Sequence, residues 1–354
     1  MRDVVTLGEA MVLLAAEETG PLAHVRRFSK HTAGAETNVA VGLARLGLRV
    51  GWVSRLGNDT MGQFLRDAFM KEGIDRSQVT LVPGARTGFM FKGRVDDGSD
   101  PPIEYHRQGS AASLMGPNDL PLAWLQTARH LHVTGVFAAL TPATLAATQT
   151  AMATVRAQGG SISFDPNLRP ALWSSEAHMR STINALAAQA DWVLPGLDEG
   201  RLLTGCNTPE EIAQFYLDQM KASQHASPRG QGVVVKLGAD GAYFATAQST
   251  QDSASDTAHH SVKHASVNAA QGYVPAFPVA KVIDTVGAGD AFAVGIISAL
   301  LEDLTITQAV QRATWMGARA VQVRGDSDGL PTRAELDAAK NLHTQHRQHI
   351  RRQT

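Results

Sequence analysis

The sequence predicts an α/β fold built on a mainly parallel sheet, and three observations carry that expectation. Strand-like apolar runs at Leu131 to Gly135, Ile162 to Asp165, Trp192 to Leu194 and Val233 to Leu237 alternate with helical stretches at Ala143 to Gln158, His178 to Gln189 and Glu210 to Met220. Strands alternating with helices imply βαβ units, and ligands of such sheets bind beyond the carboxyl ends of the strands. Glycine turns at Gly34 and at Gly287 to Gly289 each lead into a helix of small apolar residues. Hydrophobic residues make up 44% of the 354, enough for a sizeable core.

In chain order, Val4 to Leu7 reads as a first strand ending at Gly8-Glu9, with further short strands at Met11 to Ala16 and His24 to Ser29. Thr32 to Ala40 is a glycine turn opening a helix through Leu46, Arg49 to Arg55 a strand, and Gly62 to Glu72 an amphipathic helix stopped by Gly73. Thr87 to Val95 and Ile103 to Gln108 alternate like the arms of a hairpin, joined by a loop with Gly98, Pro101 and Pro102. On the second arm Tyr105 and Arg107 are two apart and share a face.

Further on, Asp165-Pro166-Asn167-Leu168-Arg169-Pro170 places Asp, Asn and Arg on one proline-stiffened loop at a strand end. That suits anion and hydroxyl binding at the sheet's C-terminal edge, the reading preferred over a plain proline-rich turn with a structural Asp. Leu194 to Glu199 leads into a helix, and Val233 to Ala242 reads as strand, turn and strand around Gly238, Asp240 and Gly241. Val279 to Ile283 is expected as a buried strand end, Ala291 to Leu301 as a buried helix, Ile306 to Val323 as a helix with a strand-like end, and Arg333 to His349 as a final helix.

The stretch Asp284-Thr285-Val286-Gly287-Ala288-Gly289-Asp290 combines two glycines, a helix N-terminus and a carboxylate. Backbone N–H groups that approach an anion closely, beside a proton acceptor, suit phosphoryl transfer. On spacing alone, a plain strand-to-helix turn with Asp290 as an N-terminal charge explains it too.

These residues, with Ala291 and Phe292, resemble the C-terminal signature of the ribokinase (PfkB) family of sugar kinases. Thr32 to Ala40 resembles the N-terminal signature, with Ala33 standing where the first glycine of a pair is usual. The resemblance implies a ribokinase-like three-layer αβα sandwich with a small β lid, formed by strands from about 11–30 and 87–108. It implies Asp290 as catalytic base and Gly287, Ala288 and Gly289 as the anion hole. It puts Gly34, Asn38, Phe89, Tyr105, Arg107, Arg169 and Asp284 around the sugar. Asn167, Arg169, Lys236, Gly238, Asp240, Gly241, Gly287, Gly289 and Ala318 would line the nucleotide site. Glu199 would reach Mg²⁺ through water, although Gly196 stands where the family often has Asn.

ATP and Mg²⁺ are the implied cofactors. Tyr105-His106-Arg107 and Asp165 to Trp173 look most like the branch acting on 2-keto-3-deoxygluconate, and two arginines suit a sugar acid because guanidinium forks bind carboxylates. A fructokinase or other neutral-sugar kinase is the alternative, and a non-catalytic sugar-binding regulator is the reading from another class.

A formal net charge of −1 argues against nucleic acid or a membrane surface as partner, and no apolar run reaches the ~20 residues that span a bilayer. The single cysteine, Cys206, and the absence of a signal peptide fit a cytoplasmic protein. A homo-oligomer is expected. Residues 1–340 are expected to form one kinase domain, with a low-complexity insertion at 248–271 and a basic tail at 341–354. His259, His260 and His264 in that insertion lack the carboxylate or Cys partners of a metal site.

Overall fold

The computed structural model describes the chain except residues 97–100, 224–226, 228, 248–269 and 340–354. Thirteen strands are described: β1 Arg2–Leu7, β2 Met11–Thr19, β3 Phe28–Ala33, β4 Val50–Gly57, β5 Asp75–Val82, β6 Phe89–Arg94, β7 Ile103–His106, β8 Ala128–Thr134, β9 Ser161–Asp165, β10 Trp192–Val193, β11 Gly232–Lys236, β12 Ala242–Thr246 and β13 Gln271–Val274. Nine form one sheet in the order β13-β12-β11-β10-β9-β8-β1-β4-β5, and four form a second in the order β3-β2-β6-β7.

In the large sheet every pairing from β11 to β5 is parallel, and only β12 runs the other way, antiparallel to both β11 and β13. Its inner strands are largely apolar on both faces, as in a sheet covered twice, while the edge strands β5 and β13 are more exposed. Alternate residues feed two apolar layers. Val4, Trp52 and Val234 pack with the helices Ala35–Arg45, Ala288–Leu301 and Ile306–Ala320. Val5, Val53, Val233 and Val235 pack with Pro142–Arg156, Glu176–Ala187 and Pro209–Ala222. This is the expected three-layer arrangement, and the four-stranded sheet is the expected lid.

Strand order reverses direction around β1. From there the chain builds outward through β4 and β5 on one side and through β8 to β11 on the other. The carboxyl ends of β1 and β8 therefore flank the crevice where open α/β sheets bind ligands.

Several expectations need correction. Val279 to Ile283 is not a buried strand: it is irregular, Val282 is 40% exposed, and Ile283 N–H bonds Val321 carbonyl at 2.7 Å. His24 to Ser29 is not a strand either. A 3₁₀ turn, Leu22–His24, precedes β3, which starts at Phe28 because its partner β2 begins pairing there, Ala16 opposite Phe28. The helix from Ile306 ends at Ala320 and no strand follows it. β5 was not foreseen: its buried face is interrupted by polar residues, as an edge strand permits.

The 248–271 insertion is shorter than expected at its end, since Gln271 opens β13 and pairs with Ala245. Thr246 lies opposite Gly232, at the amino end of β11, so the β12–β13 connection leaves from the sheet edge away from the crevice. Its middle, with His259, His260 and His264, lies outside the described residues, as do the tail and the final helix beyond residue 339.

The helices Ala288–Leu301 and Ile306–Ala320 touch at Gly295, where an added Cβ would stand 2.4 Å from Ala313 Cα. We predict that Gly295→Ala lowers stability by about 1–3 kcal/mol through overpacking. Urea unfolding checks this, and an unchanged midpoint would show that the helices can part.

Candidate active site

Where the crevice meets the lid there is a cleft of about 430 Å³, within the size range of small-molecule sites. Its floor comes from the large sheet: Val136 after β8, Asp165 ending β9, Lys236 ending β11, and the turn at Thr285 to Asp290. The lid contributes Met11, Ala33, Met90, Ile103 and Tyr105, with Arg107 just beyond β7.

The turn is built for close approach. Gly287 caps the helix at φ 84°, and a Cβ there would sit 2.2 Å from the Asp326 carbonyl. Neither constraint suits a residue with a side chain. The first N–H groups of a helix have no partners within it and carry its positive potential, so this end of the cleft attracts anions. Lys236 adds to that: its Nζ would be 3.5 Å from a Cβ on Gly289. Asp165 holds the ammonium at 2.7 Å. Burial works against the Lys236 charge, but Asp165 and Glu199 outweigh it and hold its pKa above the usual value.

Asp290 lies in the first turn of the helix, 9% exposed, with Oδ2 accepting a hydrogen bond from Asn38 Nδ2 at 2.7 Å. Burial pushes its pKa up to about 8; the Asn38 bond opposes this, while the carboxylates of Asp165 and Asp326 add to it. A carboxyl that gives up its proton near neutrality is matched to proton transfer.

Of the other residues singled out in the sequence, Gly34, Asn38, Tyr105, Arg107, Asn167, Arg169, Glu199, Gly287 and Gly289 line the cleft. Gly34 adopts φ 140°, and a Cβ would stand 2.4 Å from the Glu9 carbonyl. Asn167 takes a left-handed φ of 39°, with its N–H on Asp165 Oδ1 at 3.1 Å, a conformation Asn tolerates. Arg169 is exposed and donates to its neighbour's carbonyl, Leu168, at 2.8 Å.

Arg107 reaches the cleft already partnered: Nε donates to Glu9 Oε2 at 2.7 Å and Nη2 lies 2.5 Å from the same oxygen. Glu199 is also engaged, accepting from Gly196 N–H and Leu168 N–H, both at 2.7 Å. The missing Asn at position 196 thus leaves a glycine whose amide is capped by that Glu.

Phe89 and Asp284 do not line the cleft. Side chains alternate along β6, so Met90 faces inward while Phe89 turns out and stacks on His106, ring centroids 4.6 Å apart. Asp284 is buried against Lys92 Nζ at 2.6 Å. Gly238, Asp240 and Gly241 form the tight turn just beyond Lys236, outside the cleft. Ala318 is buried in its helix, and Gly317 beside it approaches the Ala288 carbonyl.

Glu9, Lys92 and Asp326 carry no role in the sequence reading, and Asp165 enters it only as part of the Asp165–Arg169 loop, without a place of its own in the site. Lys92 carried a signal: it directly follows the apolar run Phe89 to Phe91 and shares its strand parity with Met90. Glu36 is another buried acid. It bonds Thr134 Oγ1 at 2.5 Å, and burial pushes its pKa up to about 7.

Residues 1–333 match the family model of the pfkB carbohydrate kinases. The chain belongs to that family. It is 45% identical to a 2-dehydro-3-deoxygluconokinase of Bacillus subtilis over 94% of each chain. Identity to one from Thermoproteus tenax is 31%, over 95% of this chain and 94% of that one. A crystal structure of a PfkB protein from Polaromonas sp. JS666 superposes with a TM-score of 0.80 at 53% identity, covering 96% of this chain and all (100%) of the other. A structure of a putative ribokinase II from E. coli in complex with ATP and Mg²⁺ gives 0.80 at 25% identity, over 96% and 98%. The ribokinase-like fold is common to all of these. No described helix is long and apolar enough to cross a membrane.

The raised Asp290 pKa has a testable sign. The folded protein keeps a proton there that the unfolded chain gives up near 3.8. Its contribution is therefore full below that value and is lost as pH rises toward about 8. Asn cannot ionise, so Asp290→Asn gains stability relative to the wild type over that interval. Melting temperatures of both proteins at several pH values check it; a difference that stays flat would mean that Asp290 ionises normally.

Proposed function

We propose that the chain transfers the γ-phosphoryl group of ATP to the C6 hydroxyl of 2-keto-3-deoxy-D-gluconate. The observation that carries the transfer is a buried carboxylate in the first turn of a helix whose N-terminal glycines, Gly287 and Gly289, line the cleft. Asp290 would take the proton of the attacking hydroxyl as its oxygen bonds phosphorus and the bond to the leaving ADP oxygen breaks. The amides of Gly287, Ala288 and Gly289, with Lys236, would meet the charge that develops on the phosphoryl oxygens. Asn38 would hold Asp290 in line.

Among the described residues no group of three or more His, Cys, Asp or Glu is placed to hold a metal. That fits Mg²⁺, which prefers substrate phosphates, water and one or two carboxylates over an all-protein cage. Mg²⁺ on the nucleotide would neutralise charge on the transferring group. Glu199, with Asp165 nearby, would reach its water shell. The nucleotide base would lie toward the Gly238–Gly241 turn and Ala318.

The acid substrate is supported by the relatives' names and by the cations on the cleft wall. Tyr105 would cover the sugar from the lid, beside Gly34. Arg169, whose guanidinium has no acidic partner among the described ion pairs, would hold the carboxylate, with the remaining edge of Arg107 beside it. The pairing of Arg107 with Glu9 reduces the free positive charge and is the one observation that favours a neutral sugar such as fructose. In this reading residues 1–340 act as one kinase unit in the cytoplasm, as a homo-oligomer and without a nucleic-acid partner.

An ATP-coupled screen of keto-deoxy sugar acids beside fructose and ribose tests the assignment; fructose preferred over every acid would overturn it. Asp290→Asn should lower kcat by about 10²–10⁴-fold, the usual worth of a positioned base. Turnover above half of wild type would remove Asp290 from that role. Arg169→Leu should raise KM for the keto acid roughly ten- to a hundredfold, as loss of a charge-assisted bond of about 1.5–3 kcal/mol implies. Fructose, if accepted, should be affected much less; equal losses would mean that Arg169 does not read the carboxylate. Arg107→Leu is the poorer probe because it also leaves Glu9 buried without its cation.

A further inference from the structure

Lys92 belongs to lid strand β6, yet its side chain ends in the core. Its Nζ is 2.6 Å from Asp284 Oδ2 and 3.1 Å from Asp326 Oδ1. The three residues are 4%, 8% and 5% exposed. Both carboxylates belong to the walls of the turn that opens the helix. Asp284 Oδ1 accepts Val286 N–H at 3.1 Å, one residue before Gly287, and Oδ2 accepts Gly325 N–H at 3.5 Å. The Asp326 carbonyl packs against the bare Cα of Gly287. One ammonium thus fastens the turn from both sides.

Two neighbouring carboxylates deprived of their cation must either take up a proton or move apart. Either response shifts Val286 and Gly287. Groups that meet charge in a transition state tolerate little displacement: about 1 Å can cost on the order of 10²-fold in rate.

We propose that Lys92 is a positioning residue for phosphoryl transfer, a tethered cation that the lid inserts beneath the Gly287–Gly289 turn to hold it in its anion-binding shape. The proposal rests on the kinase reading above. It follows that the turn takes its working shape only with strand β6 seated. A small free cation should also replace the ammonium when the side chain is cut back.

The test is Lys92→Ala, assayed beside the wild type with ATP and the sugar acid. Ammonium, methylammonium or tetramethylammonium chloride is added at equal ionic strength. Hydrogen exchange of amides 286–290 is followed separately, without substrate. We expect kcat to fall by about ten- to a hundredfold, with KM for the sugar moving less than kcat. The turn amides should exchange faster. Ammonium or methylammonium should restore turnover, tetramethylammonium should not, and the wild type should ignore all three.

A folded variant whose kcat stays within about twofold of wild type would overturn the proposal. So would unchanged exchange at the turn, or a loss that every cation affects alike. If Lys92→Ala does not fold, Lys92→Met with Asp326→Asn removes one charge of each sign. Wild-type turnover in that protein overturns the proposal, and lost turnover in a folded protein supports it. A wild type that phosphorylates no sugar defeats the kinase reading instead, and the exchange experiment still decides whether Lys92 orders the turn.

Discussion

Crowding carboxylates into a buried sheet edge is the constraint around which this site is arranged. Each acid there must find a cation or surrender its charge. Glu9 has Arg107, Asp165 has Lys236, and Asp284 and Asp326 share Lys92. Asp290 makes no direct ion pair among the described residues and accepts a hydrogen bond from the amide of Asn38. The unequal pairing separates the roles: the paired acids are tied by their cations to neighbouring loops, while Asp290, whose pKa burial pushes up to about 8, is left able to exchange a proton. Its high pKa follows first from its burial, with the carboxylates of Asp165 and Asp326 adding to it.

The same pairs join the two sheets. Arg107 and Lys92 come from the lid, and Glu9, Asp284 and Asp326 belong to the segments beneath it. The lid's own apolar cluster is small, built on Met11, Leu13, Ala33 and Met90. A four-stranded sheet with so little core of its own depends on its junction with the larger one. That junction is apolar as well as ionic: Val12 lies in the main core, Leu14 and Phe89 pack against it, and the charge pairs add fixed points between the two sheets.

Most of the fold was legible because its signals are periodic. Strands such as Val233 to Val235 are apolar on both faces, and helices between them repeat at helical spacing, so the parallel sheet could be read directly. The turn at the head of the Ala288–Leu301 helix was legible because glycine tolerates φ 84° at position 287 and few other residues do. Partners distant in sequence were not legible. Nothing local ties Asn38 to Asp290, 252 residues away, or Lys92 to Asp284, 192 away. The family resemblance puts Phe89 beside the sugar, but the strand's period of two turns Met90 to the cleft instead. Val279 to Ile283 reads as a strand by composition, and it found no strand to pair with.

The β12–β13 connection has a consequence of its own. Its two ends are fastened to each other, Thr246 N–H to the Ala270 carbonyl at 2.9 Å and Ala270 N–H to Thr246 Oγ1 at 2.9 Å. The chain departs and returns at one point on the rim opposite the cleft. The entropic cost of a longer loop grows only with the logarithm of its length. Sequence can therefore accumulate at this point without disturbing the chemistry. A lineage can experiment there, and a reporter domain can be spliced in there, while the catalytic rim is left as it was.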